Sequence, residues 1–541
     1  MKAEERKGNL FRGVLGLMQL VSYGAQDIYI SGNPQITFWK VLYKRHTNFA
    51  VEAIEVTFNG QADFNKRVTA VINRNADLMY KTYVQVVLPQ INLTPSAGTF
   101  SAGPTAGFRW LNYIGHRLIK QVEVEIGGQR IDRQYGDWMQ IWTQLSTDAG
   151  TISALDSIIG NTHDLVLLKR ATGLDLDATC AANETTISCV PRKGTPAKTL
   201  YIPLQFWFCR NPGLAIPLIA LQYHEVRINV DFETWQNSMY FESAVGTAGT
   251  AGAAPAAQSL AAASLYVDYV YLDTEERRRF AQQSHEYLIE QVQYTGAESI
   301  TSSSNKIQLN FNHPVKELFW VIQRDSFVDC SNQPWIASVG GPQPFNYSDD
   351  FSTEGLIMSL LSTAQVTGTQ TAIPGATNLS VATAFLGQGP LQTSSLIGAD
   401  SQDLAGAQEF ESGVNYLLAK VILDSGIRCE GKNPVEVAKL QLNGQDRFTE
   451  REGAYFDKVQ PFQHHSRTPS TGINVYSFAL RPEEHQPSGT CNFSRIDKAT
   501  LQLTVSINTV VGSRTAQVRV YALNYNVLRV MSGMGGLAYS N

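Results

Sequence analysis

The sequence predicts an all-β fold made of two related β-sandwiches in tandem. Three observations predict it: apolar residues alternate along many short segments, long helical periodicity is scarce, and segments of the first half recur in the same order in the second. A chain of 541 residues can hold two to four domains. With 43% hydrophobic and only 17% charged residues, it has the composition of a folded protein with a large core.

Strands are predicted where every second residue is apolar, because alternate side chains of a strand point to the same face. Only two short segments favour a helix: "YGDWMQIWTQL" (135–145) and "ERRRFAQQSHEYL" (276–288). The clearest alternating segments are "QVEVEI" (121–126), "RINVDF" (227–232), "KIQLNFN" (306–312), "TLQLTVSIN" (500–508) and "QVRVYAL" (517–523).

An internal repeat divides the chain in two. Each single match is weak, but five in the same order indicate two homologous β domains. The matched pairs are "EVTFNG" (55–60) with "QVQYTG" (291–296), "VINRNADL" (71–78) with "QLNFNHPV" (308–315), "EIGGQR" (125–130) with "QLNGQD" (441–446), "INVDF" (228–232) with "LQLTV" (501–505), and "VDYVYLD" (267–273) with "VRVYALN" (518–524).

The spacing between the copies changes along the repeat, and each change predicts an insertion. The second copy needs extra residues between about 324 and 440, and the first copy needs them before 228 and again between 232 and 267. Each place holds a loop-like segment of small or polar residues, as expected for surface loops. We therefore predict an N-terminal arm (1–22), a first domain (23–280), and a second domain (281–541) with a large insertion at about 340–412.

The predicted strands number seven in the first copy and eight in the second, which suits an eight-stranded jelly roll per copy. Strand counting alone leaves an immunoglobulin-like sandwich equally open.

Charge and cysteine content exclude several classes of protein. The net charge of −5 argues against a protein that coats nucleic acid. Six cysteines without a CxxC pair indicate reduced thiols in a cytosol-like compartment. The sequence has no apolar run of about 18 residues, so no membrane-spanning helix is expected. The N-terminus is a poor signal peptide, because acidic residues and Arg12 interrupt it.

Motifs of catalysis are missing from the sequence: it has no HExxH, GxSxG, Walker loop or GxGxxG. The adjacent His464 and His465 would point to opposite faces of a strand and so rarely share a metal ion. His46 has no acidic partner at motif spacing. We therefore predict no catalytic residue, no metal and no cofactor. Glycosylation sequons occur at Asn92, Asn183, Asn346, Asn378 and Asn492, a weak signal for sugar attachment.

Four blocks of the sequence resemble a known family. They are "LMQLVSYGAQDIYISGNPQITFWKVLYKRHTNFAVEAIEVTFNG" (17–60), "VEVEIGGQRIDRQYGDWMQIW" (122–142), "IPLQFWFCRNPGLAIPLIALQYHEVRINVDF" (202–232) and "ALNYNVLRVMSGMGGLAYSN" (522–541). They resemble major capsid proteins of nucleocytoplasmic large DNA viruses, nearest to the phycodnavirus and mimivirus-like branch. The segments 146–198, 238–263 and 340–412 show no such match.

The resemblance implies a double jelly roll, a homotrimer with six-sided outline, and a structural role in an icosahedral shell. It implies contacts with neighbouring capsomers, with minor capsid and penton proteins, and with an internal membrane near the arm. The expected location is the virion, after assembly in the host cytoplasm. In this interpretation Phe38, Trp39 and Tyr43 are packing anchors where the chain enters the first roll, and Lys44, Arg45 and His46 are polar partners at a contact between subunits.

Two other functions stay open at this point. A glycan-processing enzyme would need two acidic residues that converge between the rolls. A carbohydrate-binding protein would be favoured by exposed aromatic residues in the inserted loops, which instead hold mostly Ala, Thr, Gly and Ser.

Overall fold

The computed structural model describes residues 24–39, 41–92, 107–166, 169–172, 188–191, 194–244, 247–248, 257–328, 341–350, 431–510, 512 and 514–539. The predicted arm (1–22) and nearly all of the predicted insertion (340–412) lie outside these residues. The chain divides into two compact units, Met1–Phe49 and Ala50–Asn541. In the described part of the first unit, the one regular element is a short helix, α1 (Ile28–Ser31).

The first half of the larger unit is mostly β-structure. Its strands are β1 (Phe49–Thr57), β2 (Arg67–Ile72), β3 (Leu78–Leu88), β4 (Ile91–Asn92), β5 (Gly107–Trp110), β6 (Ile119–Ile126), β7 (Gln129–Tyr135), β8 (Lys169–Thr172), β9 (Ser188–Pro191), β10 (Gly194–Thr195), β11 (Lys198–Pro203), β12 (Ile216–Pro217), β13 (Val226–Phe232), β14 (Met239–Ala244), β15 (Thr247–Ala248) and β16 (Ala262–Leu272).

The second half has the same character. Its strands are β17 (His285–Ile300), β18 (Ser304–Leu309), β19 (Pro314–Arg324), β20 (Val435–Leu442), β21 (Gln445–Asp446), β22 (Arg451–Glu452), β23 (Ile473–Ser477), β24 (Cys491–Asn492), β25 (Ala499–Val505), β26 (Ala516–Met531) and β27 (Met534–Leu537).

Helices are short and lie between the strands. They are α2 (Ile114–Leu118), α3 (Gly136–Ser146), α4 (Ile152–Ile158), α5 (His163–Val166), α6 (Trp207–Arg210), α7 (Thr274–Gln282), α8 (Gln460–His464) and α9 (Ile507–Val510), with 3₁₀ turns at Pro212–Leu214, Asp325–Phe327 and Phe493–Arg495 and a π-helical turn at Tyr455–Val459.

The two halves pair their strands in the same order. In the first, one sheet runs β1-β16-β3-β11 and the other β2-β13-β6-β7; in the second, the sheets run β17-β26-β19-β23 and β18-β25-β20-β21. Counting the eight main strands of each half along the chain, both sandwiches have the sheets 1-8-3-6 and 2-7-4-5. That order is a jelly roll, so the immunoglobulin-like alternative is wrong and the double jelly roll is confirmed.

The internal repeat is confirmed strand by strand. Its five matched pairs fall on β1 and β17, on the β2–β3 and β18–β19 connections, on the β6–β7 and β20–β21 hairpins, on β13 and β25, and on β16 and β26. Strands up to Leu272 pair with one another, and strands from His285 onward do the same. Helix α7 lies between the two groups; the division at 280 and 281 stays a prediction.

Two element predictions need correction. The predicted helix 276–288 ends at Gln282, and β17 begins at His285, because Ile289 enters the core of the first sandwich and the backbone is extended there. The predicted strand 500–508 ends at Val505, and α9 follows from Ile507. The helix predicted at 135–145 is confirmed as α3.

Three hydrophobic clusters build the core of the described residues. One fills the first sandwich and one fills the second. The third lies between them, where α3 packs on the outer face of the sheet that contains β19 and β26. The strands β17 and β26 contribute to both sandwiches. Their outer ends lie in the second sandwich, but Ile289 of β17 and Leu528 and Val530 of β26 belong to the cluster of the first.

Candidate functional site

The N-terminal segment, residues 24–49, presents apolar side chains to solvent. Phe38 is 101% exposed, Trp39 85% and Tyr43 82%. Contiguous exposed apolar surface of this kind marks a site of contact with another molecule. The sequence analysis assigned these three residues as packing anchors where the chain enters the first roll. In the isolated chain they are exposed. Their role as anchors therefore stays a prediction, now for contacts with other molecules.

The basic residues of the same segment are also open to solvent. Lys44, Arg45 and His46 are exposed. The His46 ring lies 3.0 Å from the Thr47 carbonyl oxygen through Nδ1. This contact is local and involves the backbone of the next residue. A role at a contact between subunits stays a prediction for this triplet.

The junction between the sandwiches is aromatic at its centre. Trp138 and Trp142 of α3 are buried, and the ring centroid of Trp138 lies 4.9 Å from that of Phe319 on β19 and 5.8 Å from that of Tyr521 on β26. The Arg210 guanidinium lies over the Trp142 ring at 4.6 Å. Edge-to-face ring contacts add to the hydrophobic gain of burial, so α3 fixes the second sandwich against the first.

A buried charge network flanks these rings. Glu290 accepts hydrogen bonds from Lys316 Nζ at 2.5 Å and from Arg210 Nη1 at 2.8 Å. Burial lowers the pKa of Lys316, and the charge of Glu290 opposes that shift. Because Glu290 and Lys316 belong to the second half and Arg210 to the first, the network ties the halves together. Buried charges are tolerated in such a place only when they are paired.

His465 lies between two carboxylates. Its Nε2 is 2.7 Å from Glu317 Oε1 and its Nδ1 is 2.9 Å from Glu483 Oε1, and its side chain is fully enclosed. Burial alone would lower the pKa of His465, but the charges and hydrogen bonds of the two glutamates outweigh it and raise the pKa to about 9. His464, at the end of α8, is half-buried, and its Nδ1 lies 3.1 Å from the Leu480 carbonyl oxygen. The sequence analysis placed this pair on a strand, but the structure places it at the end of a helix. The two rings have separate partners.

Acidic residues at the junction are not arranged as an enzyme would need them. Glu290 and Glu317 are 5% and 0% exposed and are held by cationic partners, so neither is presented to a cleft. A cavity of about 240 Å³ lies between residues 74–77 and α7, and its carboxylate, Asp77, is paired with Arg277 at 2.8 Å. Across the described ranges, no cluster of three or more His, Cys, Asp or Glu is placed to hold a metal ion.

The described part of the chain contains no helix that is long and apolar enough to span a bilayer.

A partly exposed aromatic surface lies on the outer face of the sheet β1-β16-β3-β11, with two of its three tyrosines half-buried. We define the tyrosine face as Tyr83 on β3, Tyr201 on β11 and Tyr266 on β16. The rings of Tyr83 and Tyr266 stack with centroids 5.3 Å apart, and Tyr201 meets Tyr83 edge-on at 5.9 Å. Tyr201 is 40% exposed. The neighbouring valines on the opposite face of β3 fill the core, so the tyrosines are the outward half of an alternating strand.

Three of the sequons lie in the described chain. The Asn346 amide donates to Gln343 Oε1 and to the Asp350 carbonyl oxygen, and Asn492 Oδ1 accepts from the Ser494 amide at the start of a 3₁₀ turn. Asn92 is exposed at the end of β4. Asn183 and Asn378 lie outside the described residues. Sugar attachment at any of the five stays a prediction.

Sequence reasoning missed the junction and the tyrosine face. Arg210, Glu290 and the neighbours Lys316 and Glu317 come from three separate elements, so no spacing in the chain brings them together. The tyrosines also come from three strands. The sequence predicted the helix α3 itself, but not its packing on the second sandwich.

The comparisons with known proteins agree with this architecture. The family model for the N-terminus of the major capsid protein matches residues 37–273. The model described as large eukaryotic DNA virus major capsid protein matches residues 276–536.

Similar proteins cover almost the whole chain. The major capsid protein of Phaeocystis pouchetii virus is 57% identical over 534 residues, which are 97% of this chain and 99% of that protein. The major capsid protein of Paramecium bursaria Chlorella virus 1 is 37% identical over 549 residues, 97% of this chain and 99% of that protein.

Solved structures show the same fold. A quasi-atomic model of the PBCV-1 virus capsid is 32% identical, with a TM-score of 0.59 over 93% of this chain and 100% of that one. The Faustovirus major capsid protein, at 14% identity, has a TM-score of 0.61 and covers 98% of both chains. On these matches, the chain belongs to the major capsid proteins of large eukaryotic DNA viruses.

Proposed function

We propose that three copies of this chain form a capsomer with a six-sided outline, and that these capsomers tile the facets of an icosahedral virus shell. The observation that carries the proposal is the strand order that occurs twice in one chain. Two similar sandwiches in each of three subunits present six similar sides, and a block of that shape can reuse the same contacts with its neighbours.

The function is structural, so the relevant quantity is the free energy of association. Stable contacts between permanent subunits typically bury roughly 2000 Å² or more. The exposed Phe38, Trp39 and Tyr43 supply apolar contact area, and Lys44, Arg45 and His46 supply polar contacts at its edge. The paired, buried carboxylates of the junction support a protein without catalytic function.

Further partners follow from the capsid function. They are neighbouring capsomers, minor capsid and penton proteins, and an internal membrane near residues 1–22. The protein is a late product that assembles in the host cytoplasm and resides in the virion. Residues 340–412 form the host-facing surface. The net charge of −5 favours no direct contact with the genome.

The mass of the purified protein in solution tests the trimer. Light scattering on a sizing column should give three times the chain mass of 59.7 kDa, and the trimer should resist dilution. Electron microscopy of the concentrated protein should then show hexagonal arrays. A chain that remains monomeric at every concentration, with or without the other capsid proteins of its virus, contradicts the proposal.

A further inference from the structure

The internal repeat includes the helix at the junction. The segment "YGDWMQIWTQLS" (135–146) and the segment "YFDKVQPFQHHS" (455–466) have Tyr, Asp, Gln and Ser at the same four positions. Each follows the fifth main strand of its sandwich: α3 follows β7, and the helix formed by the π-helical turn and α8 follows β21 and β22. The two helices are therefore equivalent elements of the two sandwiches.

In the first copy, this helix is a docking element. Trp142 is 2% exposed, and its ring lies 6.4 Å from Phe319, on the outer face of a sheet of the second sandwich. On that face Phe319 of β19 lies directly opposite Tyr521 of β26. An aromatic residue of the helix thus packs on an aromatic pair of a neighbouring sandwich.

In the second copy, the equivalent aromatic residue is left uncovered by the described residues of its own chain. Phe462 stands at the position of Trp142 and is 81% exposed. Val459 of the same helix is 39% exposed, and Leu480, whose carbonyl oxygen is 3.1 Å from the His464 ring, is 73% exposed. We define these three residues as the helix patch. Contact between water and so much apolar surface is unfavourable, so we expect a binding partner to cover the helix patch.

The tyrosine face lies on the sheet of the first sandwich that is equivalent to the sheet on which α3 docks, although its tyrosines stand at other positions along the strands. Tyr83 on β3 lies directly opposite Tyr266 on β16, as Phe319 on β19 lies opposite Tyr521 on β26. The strands β3 and β16 hold the same places in the first sandwich as β19 and β26 hold in the second. Among the described residues, the first sandwich thus has an aromatic face on which no helix is docked, and the second has a helix whose aromatic residue meets no such face.

We propose that the helix patch of one copy docks on the tyrosine face of a second copy of this chain. The contact repeats between subunits the one that α3 makes within a subunit. The proposal rests on the proposed trimer and names its surfaces. Because two different patches meet, the contact is heterologous, and repeated heterologous contacts generate a ring when the rotation closes.

Substitution of Phe462 tests the patch. In Phe462→Glu, we expect the concentration at which half of the trimer dissociates to rise at least about tenfold, as for a central aromatic contact residue. The melting temperature of the dissociated chain should stay unchanged, because Phe462 is exposed in the monomer. Ile507→Glu is the matched control: Ile507 is 67% exposed, lies outside the patch, and should leave the trimer unaffected.

Cross-linking tests the pairing of the two surfaces. Copies with Phe462→Cys are mixed with copies that have Tyr201→Cys, assembled, and treated with a short bis-maleimide. Cross-linked dimers are expected only in the mixture and not with either variant alone, since a link between the two positions must then join separate chains. Wild-type protein treated with the same reagent gives the background from the native cysteines.

The outcomes separate this proposal from the proposed trimer. A wild-type trimer in which Phe462→Glu dissociates at the wild-type concentration, with no excess cross-linking in the mixture, overturns the assigned contact and leaves the trimer intact. A wild-type chain that never assembles overturns both.

Discussion

At the scale of the residue, the surroundings of His465 determine how the junction responds to pH. Glu317 and Glu483 hold its ring from both sides and raise its pKa to about 9, against an ordinary value of 6.5. A group whose pKa is raised in the folded state adds stability that is fully present below the unfolded pKa and is lost as the pH rises through the folded pKa. The pKa of Glu483 shifts in the opposite direction to that of His465. Burial raises it, but the hydrogen bonds from His465 and Ser466 lower it overall.

We expect the free energy of unfolding to fall between pH 6.5 and 9 by up to roughly 3 kcal/mol, through His465 alone. Replacing His465 by Gln should remove most of this fall and destabilise the protein at pH 6. Urea unfolding at a series of pH values measures it. His464→Gln, at a half-buried neighbour whose ring contacts the Leu480 carbonyl oxygen, is the control and should keep the wild-type profile. The prediction is wrong if the wild-type and His465→Gln profiles run parallel.

Trp39 is the second residue whose effect can be predicted. At 85% exposure it contributes little to the folding of its own chain, so Trp39→Ala should change the melting temperature of the monomer only slightly. The yield of trimer should fall, and the concentration at which half of it dissociates should rise. Trp39→Phe should restore both in part. Sedimentation of the three proteins at equal concentration measures this, and equal trimer fractions would exclude Trp39 as an anchor.

At the scale of the element, two equivalent hairpins show why particular residues occur in the turns. Ile126 pairs with Gln129 across Gly127–Gly128, and Leu442 pairs with Gln445 across Asn443–Gly444. All four turn residues have positive φ, between 52° and 82°. Two-residue hairpins require this left-handed backbone, which Gly and Asn tolerate best, so both copies of the repeat keep such residues there.

We expect Gly444→Ala to cost about 1 to 2 kcal/mol of unfolding free energy, because an alanine at φ +79° is strained. A Cβ at this position would meet nothing within 4 Å, so the loss reports the backbone alone. Gly150→Ala is the control, because its φ is not in this region and the nearest atom lies at an ordinary 3.7 Å. Chemical denaturation compares the two; equal midpoints would refute the explanation.

At the scale of the whole molecule, one ribbon joins the two sandwiches. The paired strands β17 and β26 are 16 residues long each. Along β26, Val518 belongs to the core of the second sandwich, Leu523 to the junction and Leu528 to the core of the first. A strand pair shared by two cores couples their stabilities, as a rigid capsomer side requires.

We predict that the two sandwiches unfold in a single transition. Leu528→Ala, in the first core, should cost about 2 to 5 kcal/mol. It should also speed hydrogen exchange equally in Val226–Phe232 of the first sandwich and in Ala499–Val505 of the second. Met531→Ala, at a half-exposed position on the same strand, serves as the control. Faster exchange confined to the first sandwich would show that the two halves unfold independently.

The sequence by itself determined the all-β fold class, the tandem repeat and the family resemblance. Each of these rests on information in the chain order: a two-residue period, segments that recur in order, and blocks typical of one family. The exposed aromatic residues of the N-terminal segment were also identified from the sequence, although their exposure was not.

Only the tertiary structure decided the strand order, the buried network and the two complementary surfaces. The ambiguity between a jelly roll and an immunoglobulin-like sandwich was resolved by which strands pair, and pairing joins residues far apart in the chain. The His465 site needs Glu317 from a strand 148 residues away. Trp142 and Phe462 occupy equivalent positions in the sequence, yet one is buried and the other exposed, because burial depends on which face of which sandwich lies opposite.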